Sequence, residues 1–360
     1  MTLLILFMIA YLIVFLLTPV LIRISFKWRF LDIPSRRKVH VKATPRLGGV
    51  AVVVSFLITL FLSAYLYPAF WEDFSQRAYG ILLASLLILA VGLWDDIAGL
   101  KPITKLLAQI TIAMILCYFG FSIKVFTNPF GGGEIQLPAP LIMLLTTFWI
   151  VGMINAINLI DGLDGLASGI VFFSSISLIL VGFYLNTVVP VILLIILAGA
   201  TLAFLHYNFP PAKIFLGDTG SMFLGMVLAV SALAGFQYKV VTTVALLIPV
   251  CALVIPIYDT ALAMWRRFLK RSSIFIADKK HLHHRFLQLG LTQKDVVLGF
   301  YIATIYFGVI AFLFVLIPNE YALLLLFLLW MGLFAGIRTV AFIERKLKLT
   351  HLLKLRLKKK

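Results

Sequence analysis

The chain has 360 residues, of which 62% are hydrophobic and 12% charged, with a formal net charge of +17. About a quarter of the residues in an ordinary soluble domain are charged, so this composition excludes that class. Apolar runs recur from end to end and leave no polar stretch for a separate domain. The expected architecture is therefore an all-α, polytopic integral membrane helix bundle, a single integral membrane unit over residues 1–360.

The first apolar run, residues 2–22, lacks a basic lead-in and a small-residue cleavage site, so it is expected to be retained as a transmembrane helix. A cationic loop, Ser35 to Gly49, follows it. Much of its charge serves an inside-positive bias, but His40, Lys42 and Arg46 before Gly48 and Gly49 also suit a lipid phosphate or a nucleotide diphosphate. Spans at 47–67 and 78–94 lead to Asp95 and Asp96. Adjacent carboxylates repel and raise each other's pKa unless a cation sits beside them. Alone, such a pair reads as a solvated helix end; it gains meaning from its companions. A fourth span, 103–120, precedes an exterior segment holding Gly131 to Gly133 and Glu134, which reads as a flexible turn because no Lys or Ser/Thr of a phosphate loop accompanies it.

The fifth span, 138–154, runs straight into Asn155–Gly169, with two Asn, two Asp and three Gly in one stretch. A charge at the centre of a membrane helix costs about 2.5–3.5 kcal/mol on insertion scales, so acids at the margin of lipid are functional candidates. Asn158, Asp161 and Asp164 are those candidates here. Spans at 166–186 and 189–206 come next, and Phe215–Ser221 introduces the eighth, 219–236. Asp218 or Thr219 can cap that helix. A helix N-terminus also offers free N–H groups to an anion, and an Asp among them suits a magnesium–phosphate complex. The ninth span, 241–264, carries Asp259, a candidate structural partner for Arg266 or Arg267.

The next loop contains His281, His283, His284 and Arg285. No Cys and no fourth ligand at a zinc spacing joins the histidines, so contact with anions and sugar hydroxyls is the better reading. Spans at 296–317 and 321–342 bring the total to eleven, followed by a basic tail, 344–360, suited to anionic lipid head groups rather than nucleic acid. Cys117 and Cys251 sit in apolar spans and read as packing residues.

Of the 31 Lys and Arg residues, all but Arg77, Lys124 and Lys239 fall at alternate helix ends, which marks that face as cytoplasmic, with the N-terminus outside and the C-terminus inside. Glu72, Asp73, Glu134 and Glu320 fall outside. Asp95, Asp96, Asp161, Asp164, Asp218 and Asp259 all fall on the cytoplasmic side. A transporter would instead place its polar residues at mid-membrane in broken helices and internal repeats, and this chain has no repeat.

Taken together, Asp95–Asp96, Asn155–Gly165, Phe215–Ser221 and the His281–Arg285 box resemble, in order, the motifs of the polyprenyl-phosphate N-acetylhexosamine-1-phosphate transferases, of glycosyltransferase 4 type. The resemblance covers nearly the whole chain. It implies transfer of a sugar 1-phosphate from a UDP-sugar to a polyprenyl (undecaprenyl) phosphate at the cytoplasmic membrane face, with release of UMP. It implies Mg²⁺, for which Mn²⁺ substitutes, held by Asp218; a catalytic Asp95 with Asp96 beside it; a nucleotide and metal pocket shaped by Asn158, Asp161 and Asp164; and sugar and diphosphate contacts from His281, His283, His284 and Arg285. A homodimer is expected from the family. The interrupted His-x-His-His-Arg form resembles the UDP-N-acetylglucosamine branch, which initiates wall polysaccharide, teichoic acid or O-antigen synthesis. The phospho-MurNAc-pentapeptide transferases, the alternative, carry three adjacent histidines followed by Glu.

Overall fold

The computed structural model describes residues 1–34, 42–123, 125–127, 134–235, 250–251, 253–269, 282–317, 321, 324–336, 338–339 and 342. It is an α-helical membrane bundle. In chain order the helices are α1 (Thr2–Lys27), α2 (Gly48–Leu66), α3 (Pro68–Ala98), α4 (Pro102–Tyr118), α5 (Ala139–Ile160), α6 (Leu166–Tyr184), α7 (Val188–Asn208), α8 (Gly217–Gly235), α9 (Val254–Leu269), α10 (Leu282–Gln288), α11 (Gln293–Leu316) and α12 (Leu324–Gly336). Proline opens α3 and α4 in their first turn, where a missing N–H costs nothing. Thr292 starts α11 in a reciprocal capping box with Asp295.

Among the described residues, eight helices are long and apolar enough to cross a membrane: α1, α2, most of α3, α5, α6, α7, α8 and α11. α4 and α12 are apolar but shorter, and coincide with the expected fourth and eleventh spans. Residues 236–249, which hold the start of the expected ninth span, lie outside the described residues, as does the tail 344–360.

Two small antiparallel pairings were not anticipated by the all-α pattern. β1 (Leu31–Asp32) pairs with β2 (Thr44–Pro45), and β3 (Val125–Thr127) pairs with β4 (Glu134–Gln136). Strands of two or three residues are too short to leave a period in the sequence. The β1–β2 pair matters for the site, because the carbonyl of Pro45 takes the N–H of Phe215, 2.8 Å away, in the turn before α8.

α8 is the hub, buried along nearly its whole length and packed on α2, α3, α5 and α7. Lipid offers little hydrophobic drive for helix pairing, so such contact depends on small residues and close packing. A Cβ on Gly49 would lie 2.2 Å from the nitrogen of Gly220, and one on Gly92 would lie 2.4 Å from the Cα of Thr219. α1 covers α2 and α7, leaving Leu4, Met8, Leu12 and Leu16 exposed on its outer face. α6 and α11 pack together beyond α7.

Candidate active site

Four helix ends meet at one end of the bundle: the C-termini of α3 and α5 and the N-termini of α4 and α8. Each brings a polar side chain. Asp95 and Asp96 occupy the last turn of α3, Lys105 the first turn of α4, Asn158 the last turn of α5, and Asp218 the first turn of α8.

The two adjacent carboxylates do different things. Asp96 faces α8: its Oδ1 accepts the N–H of Asp218 at 2.7 Å, and its Oδ2 accepts the N–H of Thr219 at 3.1 Å and the hydroxyl of Thr219 at 2.8 Å. It is the N-terminal cap of α8, supplied across 122 residues of sequence; the helix is not capped by its own Asp218 or Thr219 side chain, as the local sequence suggested. Gly217 makes this possible. Its φ of +73° lies in the left-handed region, and a Cβ there would sit 2.7 Å from an Asp96 carboxylate oxygen and 2.7 Å from the carbonyl of Arg46.

Asp95 turns the other way. Its Oδ1 accepts the N–H of Leu100 at 2.7 Å, and its Oδ2 lies 2.9 Å from the Lys105 ammonium. Lys105 also pairs with Asp218 Oδ1 and reaches Asn158 Oδ1 at 3.4 Å. Asn158 donates to Asp218 Oδ1 at 2.6 Å and to the Ser221 hydroxyl at 2.8 Å. One turn deeper, Asn155 donates to Gln109 Oε1 at 2.6 Å, so α4 and α5 are laced by two polar pairs. About a third of the Asp218 side chain remains accessible, against 11% for Asp95. Asp218 is therefore more open than Asp95 to something arriving from solution.

The turn between α5 and α6 supplies the remaining acids. Asp164 Oδ2 accepts the N–H of Ala212 at 2.9 Å, and Asn208 Oδ1 takes the N–H of Gly165 at 2.9 Å and the Ser168 hydroxyl at 3.0 Å. Tyr301 of α11 donates to the Gly165 carbonyl at 2.6 Å. Asp161, at the C-terminal end of α5, keeps a rim accessible. Its carboxyl is nevertheless pushed well above the usual carboxylate range, by burial first and then by the negative charges of Asp218, Asp96 and Asp164. The acids come from three separate segments, the end of α3, the α5–α6 turn and the start of α8.

Lys42 is exposed beside the β1–β2 pair. Arg46 forms an ion pair with Asp32 at 3.2 Å, and its carbonyl would lie 2.7 Å from a Cβ on Gly217, beside the start of α8. His40 and His281 lie outside the described residues, as do the side chains of His283 and His284. Arg285 is buried on α10, which rests on α11 through Phe286 against Phe300, with ring centroids 6.1 Å apart. Tyr301, the next residue along α11, holds the Asp164 turn. Asp259 is buried on α9, and the side chains of its candidate partners Arg266 and Arg267 lie outside the described residues.

Lys105, Gln109, Asn208 and Tyr301 are site residues that the sequence reading passed over. In the sequence Lys105 enters only as one of the cationic residues at alternate helix ends. The available signal was its spacing from Gln109: two polar residues four apart share one face of an otherwise apolar helix.

The donor set fits a divalent cation that keeps much of its water. Among the described residues, no three His, Cys, Asp or Glu side chains are grouped to hold a metal ion. Mg²⁺ typically takes one or two carboxylates and completes its octahedron with water and substrate phosphate. Asp218 and the amide oxygen of Asn158, both held by the Lys105 ammonium group, are such a partial set.

Residues 78–236, which hold three of the four motifs, match the model of glycosyl transferase family 4. The chain is 37% identical over 305 residues to a Bacillus subtilis protein named as a probable undecaprenyl-phosphate N-acetylglucosaminyl 1-phosphate transferase, covering 85% of this chain and 83% of that one. It is 38% identical over 304 residues to the decaprenyl-phosphate N-acetylglucosaminephosphotransferase of Mycobacterium leprae, covering 78% and 74%. Its similarity to the phospho-N-acetylmuramoyl-pentapeptide-transferase of Streptococcus thermophilus, 38% identical over 202 residues, covers 53% and 58%.

Proposed function

Because the chain belongs to glycosyl transferase family 4 and is a phosphoglycosyl transferase, we propose that it moves N-acetylglucosamine 1-phosphate from UDP-N-acetylglucosamine to undecaprenyl phosphate, or a similar polyprenyl phosphate, on the cytoplasmic side of the cell membrane. The products are polyprenyl-diphosphate-N-acetylglucosamine and UMP, a first step toward a wall polysaccharide, teichoic acid or O-antigen. The observation that carries this reading is the meeting of Asp95, Asn158 and Asp218 around Lys105, at the ends of four membrane helices. One reactant is dissolved in water and the other is anchored in lipid, so the reaction belongs where helices end. Both reactants carry phosphate, and transfer between them is mainly a matter of positioning and charge neutralisation.

In the proposed reaction, a phosphate oxygen of the lipid attacks the sugar-bearing phosphorus. The bond from that phosphorus to the oxygen bridging to UMP breaks, and UMP leaves with the electron pair. A lipid phosphate is already anionic at neutral pH, which favours direct displacement over a covalent enzyme intermediate. Asp218, oriented by Asn158, would hold Mg²⁺, and that ion would offset charge on the diphosphate. Asp95 is assigned to the lipid phosphate, and Asp96 to keeping the α8 N-terminus in place for Asp218. Asp161 and Asp164 are assigned to shaping the nucleotide pocket, and Lys42, Arg46, His281, His283, His284 and Arg285 to contacting the anionic and sugar parts of the substrates. The interrupted histidine box and the longer match to N-acetylglucosamine transferases support this donor over UDP-MurNAc-pentapeptide.

The test is turnover in detergent with undecaprenyl phosphate and radiolabelled donors. Lipid-linked label is expected from UDP-N-acetylglucosamine, with little from UDP-MurNAc-pentapeptide, and EDTA is expected to stop it. Labelling that continues in EDTA removes the magnesium assignment, the reverse donor preference removes the sugar assignment, and no lipid-linked product with either removes the reaction.

A further inference from the structure

The Lys105 ammonium group sits where a small hard cation would. Its three N–H bonds meet three oxygens from three helices: Asp95 Oδ2 of α3 at 2.9 Å, Asn158 Oδ1 of α5 at 3.4 Å, and Asp218 Oδ1 of α8. Two carboxylates and an amide carbonyl are also the donor types that Mg²⁺ takes from a protein. The side chain is 16% accessible and ends a flexible four-carbon stem, so it can reach this nest and leave it without moving α4. Without any cation here, the Asp95 and Asp218 carboxylates would stand close together with nothing to offset their repulsion.

We infer that Lys105 is a resident substitute cation: in the metal-free enzyme it neutralises Asp95 and Asp218, and a divalent ion binds by displacing its ammonium group from Asp218. This inference rests on the divalent-ion reading above and extends it, since it makes the free enzyme resist its own cofactor. The metal then competes best when substrate phosphates arrive, because they offer the freed ammonium group a new anionic partner. Lys105 is thus a positioning residue that couples ion loading to the nucleotide.

The experiment measures Mn²⁺ binding to the full-length protein in detergent by the loss of the free-ion electron paramagnetic resonance signal, without nucleotide. Lys105→Met and Lys105→Gln are each expected to bind Mn²⁺ at least about tenfold more tightly than wild type, since a cation within ion-pair range of a carboxylate is worth about that much or more. Lys105→Arg, which keeps the charge, is expected to stay near wild type. In EDTA the two neutral variants should melt lower than wild type and gain more on adding Mn²⁺. On the wild type itself, Mn²⁺ should increase acetylation of Lys105 by an amine reagent, followed by mass spectrometry. Unchanged or weaker Mn²⁺ binding in the neutral variants, while Asp218→Asn abolishes binding, overturns the substitute-cation role and leaves the metal reading intact; unchanged acetylation does the same. Absence of Mn²⁺ binding in every form, with and without UDP-N-acetylglucosamine, overturns the metal reading and this inference with it.

Discussion

At the scale of single residues, Asp95 and Asp96 are adjacent in the chain yet should fail differently when changed. Asp96 spends both oxygens on the first turn of α8. Asp96→Ala strips that cap and leaves buried N–H groups unpaired, at a cost of about 0.5–2 kcal/mol for the cap. A lower melting temperature and weak turnover are expected together, with Asp96→Asn milder on both measures. Asp95→Asn should instead leave melting close to wild type while turnover falls by about 10²-fold or more, the scale of a lost transition-state contact. Comparable melting losses in the two variants would refute this division. Asp218→Asn should abolish turnover in a protein that still folds, and near-normal activity would reject its place at the metal. The sequence named these acids but not their division of labour. Which of two neighbouring carboxylates faces α8 depends on the rotation of α3 about its axis, and Asp95-Asp96 reads the same in either orientation.

At the scale of elements, the turn from Asp161 to Gly165 hangs from α11 by one phenol, the hydroxyl of Tyr301 on the Gly165 carbonyl. Tyr301→Phe keeps the ring packing and removes that hydrogen bond, worth about 0.5–1.5 kcal/mol. Because the turn carries Asp161 and Asp164, the effect should appear in the KM for the sugar nucleotide; loss of stability with an unchanged KM would make the bond merely structural. His283→Ala on α10 should likewise impair sugar-nucleotide use more than lipid use, and unchanged kinetics for the nucleotide would exclude that contact. Helix positions were legible because apolar runs of this length have few alternatives. The facing of helices was not. Lys105 with Asn158, and Gln109 with Asn155, become partners only when α4 and α5 lie side by side, and nothing local in either segment states that they do. The two short strand pairs were hidden for a related reason: their order comes from what they join, not from their own pattern.

At the scale of the whole molecule, the proposed orientation puts Glu134 on the face opposite the acid cluster. Glu134→Gln should therefore retain turnover, and Glu134→Cys should react with a membrane-impermeant thiol reagent added outside intact cells. Labelling seen only after the membrane is opened would invert the bundle. The proposed orientation rests on the asymmetry of basic residues alone, and the number of crossings depends on where each apolar run is cut. The clamp of Asp96 on the start of α8, with Gly92 and Gly217 giving it room, has a further consequence. It holds the start of α8, and Asp218 with it, against α3 in the folded bundle, so no reactant has to assemble that contact at each cycle. In the proposed reaction, a centre prebuilt in this way would let changes in the surrounding loops alter the sugar donor while the contacts that break the diphosphate stay in place.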